Sequence, residues 1–387
     1  MADAHAAVFA YVGNWKIDGD DLGITICNLN SATGALEPLK TVMPGICVGA
    51  MYLDRDRDIL YCADERSNNP DLGPGSGGRV FAFRIDPETG DLEEMSRNSA
   101  YASLTSYITT DVARDYLLAT NHARPIQITT AERDENGMFR VVPVADPATT
   151  ALFRLNPDGG IGEICDIHHH HALGSAPHRR SAAAHCVVPS PDGRFFVVCD
   201  KGTDEVLLFG IDRDTHRLIV AGRLAEPDGT APRYAVFHPS APYFYVNHER
   251  APFITTFRYD EKGRVERLAE AEMLPADGAF ALAEAEPSDL LFDPSGRFLY
   301  SLVRRCNAIS VFEVNAGTGG LQRVQTLSIE GDNPRGAAFT ADGKFLLVAL
   351  VGTAAVASLG VQPDGTLVDT GRRTSFTRPG CVVVRAG

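Results

Sequence analysis

A short unit recurs seven times along the 387 residues of the chain, and this repetition restricts the possible fold more than any other feature. Each unit holds an apolar strand, a turn such as PDGR or PSGR, a β-rich strand with Tyr or Phe, a polar loop, an alternating strand, a Gly-containing turn and a last strand. These four strands are lettered A to D. The B strands read FAYVGN (9–14), LYCADE (60–65), YLLATN (116–121), FFVVCD (195–200), YFYVNH (243–248), FLYSLV (298–303) and FLLVAL (345–350). The C–D turns are NSATGAL, DPETGDL, NPDGGI, DRDTHRL, DEKGRV, NAGTGGL and QPDGTL. They are hairpin connections by composition, because Gly, Asn and Asp adopt the conformations that tight turns demand. Apolar runs of about five or six residues, alternating with period two and punctuated by Gly and Pro, exclude a helical reading.

A strands precede six of the units: VGAMYLD (48–54), TSYITTD (105–111), AHCVVPS (184–190), RYAVFH (233–238), SDLLFD (288–293) and RGAAFT (335–340). The first unit lacks one, and a matching segment, GCVVV (380–384), stands at the far end of the chain. Pairing the two closes a ring and removes the free edges that invite aggregation. The expected fold is therefore all-β: a seven-bladed β-propeller of four-stranded antiparallel blades, one domain over residues 1–387, with the C-terminal strand completing the N-terminal blade.

Composition narrows the function classes. With 44% hydrophobic residues the chain can bury a large core, and its net charge of −14 argues against nonspecific nucleic-acid binding, which needs a basic face. No stretch approaches the roughly 18 apolar residues of a membrane span, and the first residues lack a basic segment followed by an apolar run, so a soluble cytoplasmic protein is expected. Cysteines 27, 47, 62, 165, 186, 199, 306 and 381 are scattered and often lie inside apolar runs, which reads as reduced core thiols.

Topology sorts the loops by face. In an antiparallel blade the start of A, the end of B, the B–C loop and the D–A connection share one end, whereas the A–B and C–D turns share the other. The long irregular segments 66–79, 122–148, 165–183 and 274–287 all fall at the first end, where function is expected. Starts of A place His185, Arg233 and Arg335 there. Ends of B, or the residues just after, add Glu65, His122, Arg124, Asp200, Lys201, Glu249, Arg304 and Arg305. Cations outnumber anions in this set, which suggests a small anionic substrate, a carboxylate or phosphate, because guanidinium forks match both. His168 to His171, with His178, form a conspicuous cluster; consecutive histidines cannot all face one ion, so a solvated loop and no metal are expected. No phosphate-cradling Gly loop, nucleophile elbow or paired-cysteine motif is present, and no cofactor is implied.

These residues together resemble the seven-bladed propeller lactonases, a family that includes one type of 6-phosphogluconolactonase and the fungal carboxy-cis,cis-muconate cyclase. The resemblance covers nearly the whole chain. It is carried by YVGNW near the start, AHCVVPSPDGRFFVVCDKGTDEV (184–206), APRYAVFHPSAPYFYVNHE (231–249), PSGRFLYSLVRRCNAISVFEV (294–314) and NPRGAAFTADGKFLLVA (333–349). It implies that His185, Arg233, Glu249 and Arg304 serve catalysis. The chain departs from the family pattern at Ala183, where a second His is frequent, at Val303, where Asn precedes the arginine, and at Arg305, where Gly follows it. Three function classes are expected to compete. The first is a lactone hydrolase in which Glu249 or His185 activates water while Arg233 and Arg304 hold charge. The second is a cycloisomerase acting on an unsaturated carboxylate, and the third a noncatalytic binding or scaffold propeller.

Overall fold

The computed structural model describes residues 8–16, 23–43, 45–69, 72–124, 127–171 and 181–385. It is an all-β, seven-bladed propeller of four-stranded antiparallel sheets. In blades two to seven the strands follow one another in sequence from A at the axis to D at the outside. Blade one is assembled from both ends of the chain: its A strand is Pro379–Arg385, paired with the B strand Phe9–Asn14 from Phe9↔Arg385 to Asn14↔Pro379.

The alternation of the B strands explains how the ring holds together. Side chains of a strand point to opposite faces in turn, and both faces of a blade are covered by neighbours. In the B strand of blade two, Leu60 and Cys62 enter the core shared with blade one, whereas Tyr61 and Ala63 enter the core shared with blade three. Seven apolar cores of this kind stand between consecutive blades, and the one joining blades seven and one takes Leu347, Ala349 and Val356 from one side and Val12, Cys27, Val382 and Val384 from the other. B strands are buried along nearly their whole length for this reason, and D strands such as Arg217–Ala225 alternate because only one face is covered.

A polar staple accompanies most of these cores. The hydroxyl of a B-strand tyrosine donates to a glycine carbonyl in the C–D turn of the next blade: Tyr11 to Gly90 (2.9 Å), Tyr61 to Gly159 (2.7 Å), Tyr245 to Gly319 (3.1 Å) and Tyr300 to Gly365 (2.6 Å). At the join of blades three and four, His216 takes the glycine's place and its Nδ1 lies 2.6 Å from the Tyr116 hydroxyl.

Three of the segments expected to be irregular are partly regular. Within 122–148 the chain forms an antiparallel hairpin, Gln127–Arg133 with Phe139–Ala145, inserted between the B and C strands of blade three. Within 165–183 the D strand Ile161–His169 runs on through His168 and His169, so these are strand residues rather than parts of a solvated loop. His170 is buried, and His178 lies outside the described residues. A short 3-10 turn, Leu282–Glu284, interrupts the segment 274–287. All eight cysteines are free thiols; Cys27, Cys47, Cys62, Cys186 and Cys199 are buried, as expected of core positions.

Candidate active site

The mouth of the propeller is built by one irregularity repeated in every blade. Pairing between A and B strands skips Gly380, Gly49, Ser106, His185, Arg233, Ser288 with Asp289, and Arg335, in blades one to seven respectively. A bulge takes its residue out of the ladder and re-aims the side chain. Blades four, five and seven place His185, Arg233 and Arg335 at this point, and the small residues elsewhere leave room for them. Arg335 reaches across blade one to blade two, its Nη1 donating to the carbonyls of Gly380 in blade one (3.3 Å) and Gly49 in blade two (3.1 Å). Arg233 Nη1 donates to the Ser288 carbonyl (2.8 Å).

A second ring comes from the residue one past the paired end of the B strand, Trp15, Glu65, His122, Lys201, Glu249 and, in blade seven, Val351, whereas in blade six the last paired residue, Arg304, takes this place. Trp15, Glu65, His122 and Glu249 meet bulge residues through hydrogen bonds, ion pairs or ring contacts, and Lys201 and Arg304 join them by pairing with Glu249. Glu249 is the centre of one group. Its Oε2 accepts from Arg233 Nε at 2.8 Å, lies 3.3 Å from Lys201 Nζ and 3.4 Å from Arg304 Nη2. Burial alone would push this carboxyl up, but the three cations hold it well below the usual carboxylate range. Burial and the nearby Arg233 bring Arg304 down to about 10 against the pull of Glu249 and Glu286. Burial lowers Lys201 as well, with Glu249 opposing.

Glu65 is the centre of the other group. Its Oε2 accepts from Trp15 Nε1 (2.5 Å) and Arg335 Nη2 (3.0 Å), and its Oε1 lies 3.1 Å from His122 Nε2. The Arg335 guanidinium also lies 4.2 Å from the Trp15 ring centre, a cation–π contact. Burial works to raise the Glu65 carboxyl, and Arg335 with the His122 and Trp15 hydrogen bonds reverses this and holds it at about 2. A Cβ at Gly49 would stand 2.8 Å from Glu65 Oε2 and 2.7 Å from the Thr105 carbonyl oxygen, so the close packing around this carboxylate requires glycine there.

His185 touches both groups. Its ring stacks on His122 at 5.7 Å and 15°, and burial, followed by Arg233, Lys201, His122 and Arg335, pushes its pKa well below the usual histidine value. The imidazole is therefore neutral, and among the described residues its Nδ1 is buried without a hydrogen-bond partner. Arg304 Nη2 is likewise buried without an acceptor in hydrogen-bond geometry. An imidazole nitrogen without a partner and a guanidinium nitrogen held by ion pairs alone, with Lys201, Arg233, Arg304 and Arg335 set against Glu65 and Glu249, make a site that can take up an anion.

Three of the expected substrate-binding residues stand apart. Asp200 occupies the paired end of its B strand and turns into the protein: one oxygen caps the backbone N–H groups of Ala183, Gly202 and Thr203, and the other lies 3.1 Å from His170 Nδ1. This fully buried carboxylate is a structural cap, not a substrate ligand, and it explains why His170 is buried. Arg305 is 65% exposed at the outer rim, facing Glu286 at 3.4 Å. Arg124 bonds Ser67 and lines a separate surface depression with Asn68 and Asp146. Among the described residues no three His, Cys, Asp or Glu side chains are grouped to hold a metal ion.

Trp15 and the bulge glycines were not singled out by the sequence reading. The signal for Trp15 was present, since YVGNW places it at the same repeat position as Glu65, His122, Lys201 and Glu249. Beneath the mouth an axial cavity of about 640 Å³, lined by Tyr107, Tyr234, Asp289, Leu291, Phe292 and Phe339, runs between the A strands. Tyr234 stands 5.4 Å from both His185 and Tyr107. The cavity walls are mainly apolar, so the groups suited to chemistry lie in the mouth above.

The model of the family described as "Lactonase, 7-bladed beta-propeller" matches residues 9–384. The 6-phosphogluconolactonase of Cronobacter sakazakii is 29% identical over 356 residues, covering 91% of this chain and 92% of its own length. That of Bacillus subtilis is 24% identical over 343 residues, covering 88% and 87%. Among solved structures, the periplasmic gluconolactonase of Pseudomonas aeruginosa superposes with a TM-score of 0.85 at 23% identity, over 98% of this chain and 99% of that one, a likeness of fold. No helix among the described residues is long and apolar enough to cross a membrane.

Proposed function

The chain belongs to the family of seven-bladed β-propeller lactonases, and on that premise we propose that it hydrolyses a small anionic lactone, a sugar-acid lactone or its phosphate, at the charged mouth. The observation that carries this reading is the convergence of Arg233, Arg304 and Lys201 on one carboxylate, Glu249, beside an unprotonated His185. An incoming anion competes with Glu249 for the three cations. The same cations then stabilise the oxyanion that forms when water attacks the lactone carbonyl, in a site too buried for water to screen them. Water adds to the carbonyl carbon, the ring C–O bond breaks, and the proton lost by water ends on the departing oxygen. The product is a hydroxy acid, and the balance needs no redox partner.

Glu249 fits poorly as the base, because a carboxylate held by three cations gives up little by staying ionised and gains little from a proton. Its role in this reading is to hold Arg233, Arg304 and Lys201 together before substrate arrives. The names of the Cronobacter and Bacillus relatives support the sugar-lactone substrate class.

A pH-indicator assay over a panel of D-glucono-1,5-lactone, its 6-phosphate and muconates, corrected for spontaneous hydrolysis, tests the reading. Wild type should turn over at least one lactone, and Arg233→Ala should lower kcat/KM about a hundredfold, the usual effect of removing one oxyanion-stabilising donor. Equal turnover of every lactone by both proteins, or turnover of muconates alone, would overturn it.

A further inference from the structure

The lactonase reading leaves open which group takes the proton from water, and the Glu65 side of the mouth answers it. We propose that His122, oriented by Glu65, is the general base of the reaction, a carboxylate–imidazole dyad whose ring stacks on His185. The proposal rests on the hydrolytic reading.

The geometry has the three parts such a dyad needs. The first is a fixed carboxylate: Glu65 is buried and tied down by Trp15 and Arg335, so it acts only as an acceptor. Next comes a defined tautomer, since the acceptor Glu65 Oε1 lies 3.1 Å from His122 Nε2 and the proton must sit on that nitrogen, which leaves the lone pair on Nδ1. Last is an accessible free nitrogen: the His122 side chain is half-buried rather than sealed, and Nδ1 makes no hydrogen bond among the described residues. The backbone is pinned as well, by the His122 N–H donating to the Leu104 carbonyl (3.1 Å).

The two other candidates lack one part each. Among the described residues His185 has no carboxylate partner, and cations flank it, so a proton arriving there meets Arg233 and Lys201. Glu249 is the counter-ion of three cations. A proton arriving on His122 meets Glu65 instead. The charged and titratable groups facing His122 are Glu65, with Arg335 behind it, and His185, with Arg233 and Lys201 behind that. In the reaction, His122 Nδ1 takes a proton from water as the oxygen attacks the carbonyl carbon, and returns it to the ring oxygen as the C–O bond breaks.

The test uses the lactone that wild type turns over. The single tryptophan, Trp15, bonded to Glu65, supplies a fluorescence signal for binding of gluconate, the hydroxy-acid product. His122→Gln should lower kcat by about a hundredfold or more, the range of general-base catalysis, while gluconate affinity stays within about threefold. Added imidazole should restore part of the activity of His122→Gly, and Glu65→Gln should move the acidic limb of the kcat/KM profile to lower pH. If His122→Gln keeps kcat within about threefold while Arg233→Ala is impaired, the dyad is wrong and the lactonase reading stands. Loss of gluconate binding together with activity, no rescue by imidazole and an unmoved acidic limb would reduce His122 to a structural residue. A wild-type protein that opens no lactone overturns both.

Discussion

His185 shows what burial beside cations does to a single side chain. In the folded protein it is neutral well below pH 6.5, whereas in the unfolded chain it takes a proton near that value. Below about pH 6.5 the unfolded state therefore binds a proton that the folded state refuses, and stability falls by roughly 1.4 kcal/mol per pH unit for this one group. His168, pushed down to about 4 mainly by burial, acts in the same direction. Glu65 adds to the loss at lower pH: its stabilising charge is complete above the ordinary carboxylate value and is lost as pH falls toward 2. Urea unfolding at pH 7 and pH 5 should show a lower midpoint at pH 5, with a smaller difference in His185→Gln; equal midpoints in wild type would contradict this account. The charged residues were legible in the sequence because they sit at strand ends. Asp200 and Lys201 were not distinguishable there, since neighbours in a strand point to opposite sides and only the bulged register reveals which one faces the mouth.

At the scale of the element, the staple between a B-strand tyrosine and the glycine turn of the next blade ties the repeats together. Removing one hydroxyl, Tyr61→Phe, should cost about 1 kcal/mol, the net worth of a buried hydrogen bond. Gly365→Ala should cost more, about 2 kcal/mol, because that glycine has φ 80° and a Cβ would lie 2.4 Å from the Phe298 ring. Chemical denaturation measures both, and a Gly365→Ala protein as stable as wild type would refute the packing argument. The seven B strands and C–D turns could be read from the sequence because double burial and tight turns leave strong residue signatures. The hairpin at 127–145 could not be read so directly: it belongs to no repeat, although the turn ending in Asn136 and Gly137, the latter at φ 75°, was a usable signal. Nothing in the residue pattern announces the bulges, because the skipped position holds Gly, Ser, His or Arg in different blades.

For the whole molecule, closure is the condition on which the site depends. The mouth draws on all seven blades, and Trp15 and Gly380 of blade one join it only because the last strand pairs with the first. Removing residues 379–387 would leave the B strand of blade one as an open edge and strip Val382 and Val384 from the core shared with blade seven. That truncated chain should lose its cooperative unfolding transition and aggregate, and a soluble truncated protein with the wild-type transition would show that closure is dispensable. The central claim, that side chains from blades two to seven gather into one anion-binding, lactone-opening mouth, is tested most directly by a crystal structure of the protein soaked with gluconate. The account predicts the product carboxylate within hydrogen-bond reach of Arg233 and Arg304, displacing Glu249, with His122 and His185 alongside. Gluconate seated in the axial cavity or on the outer surface, with the Glu249 ion pairs undisturbed, would contradict it.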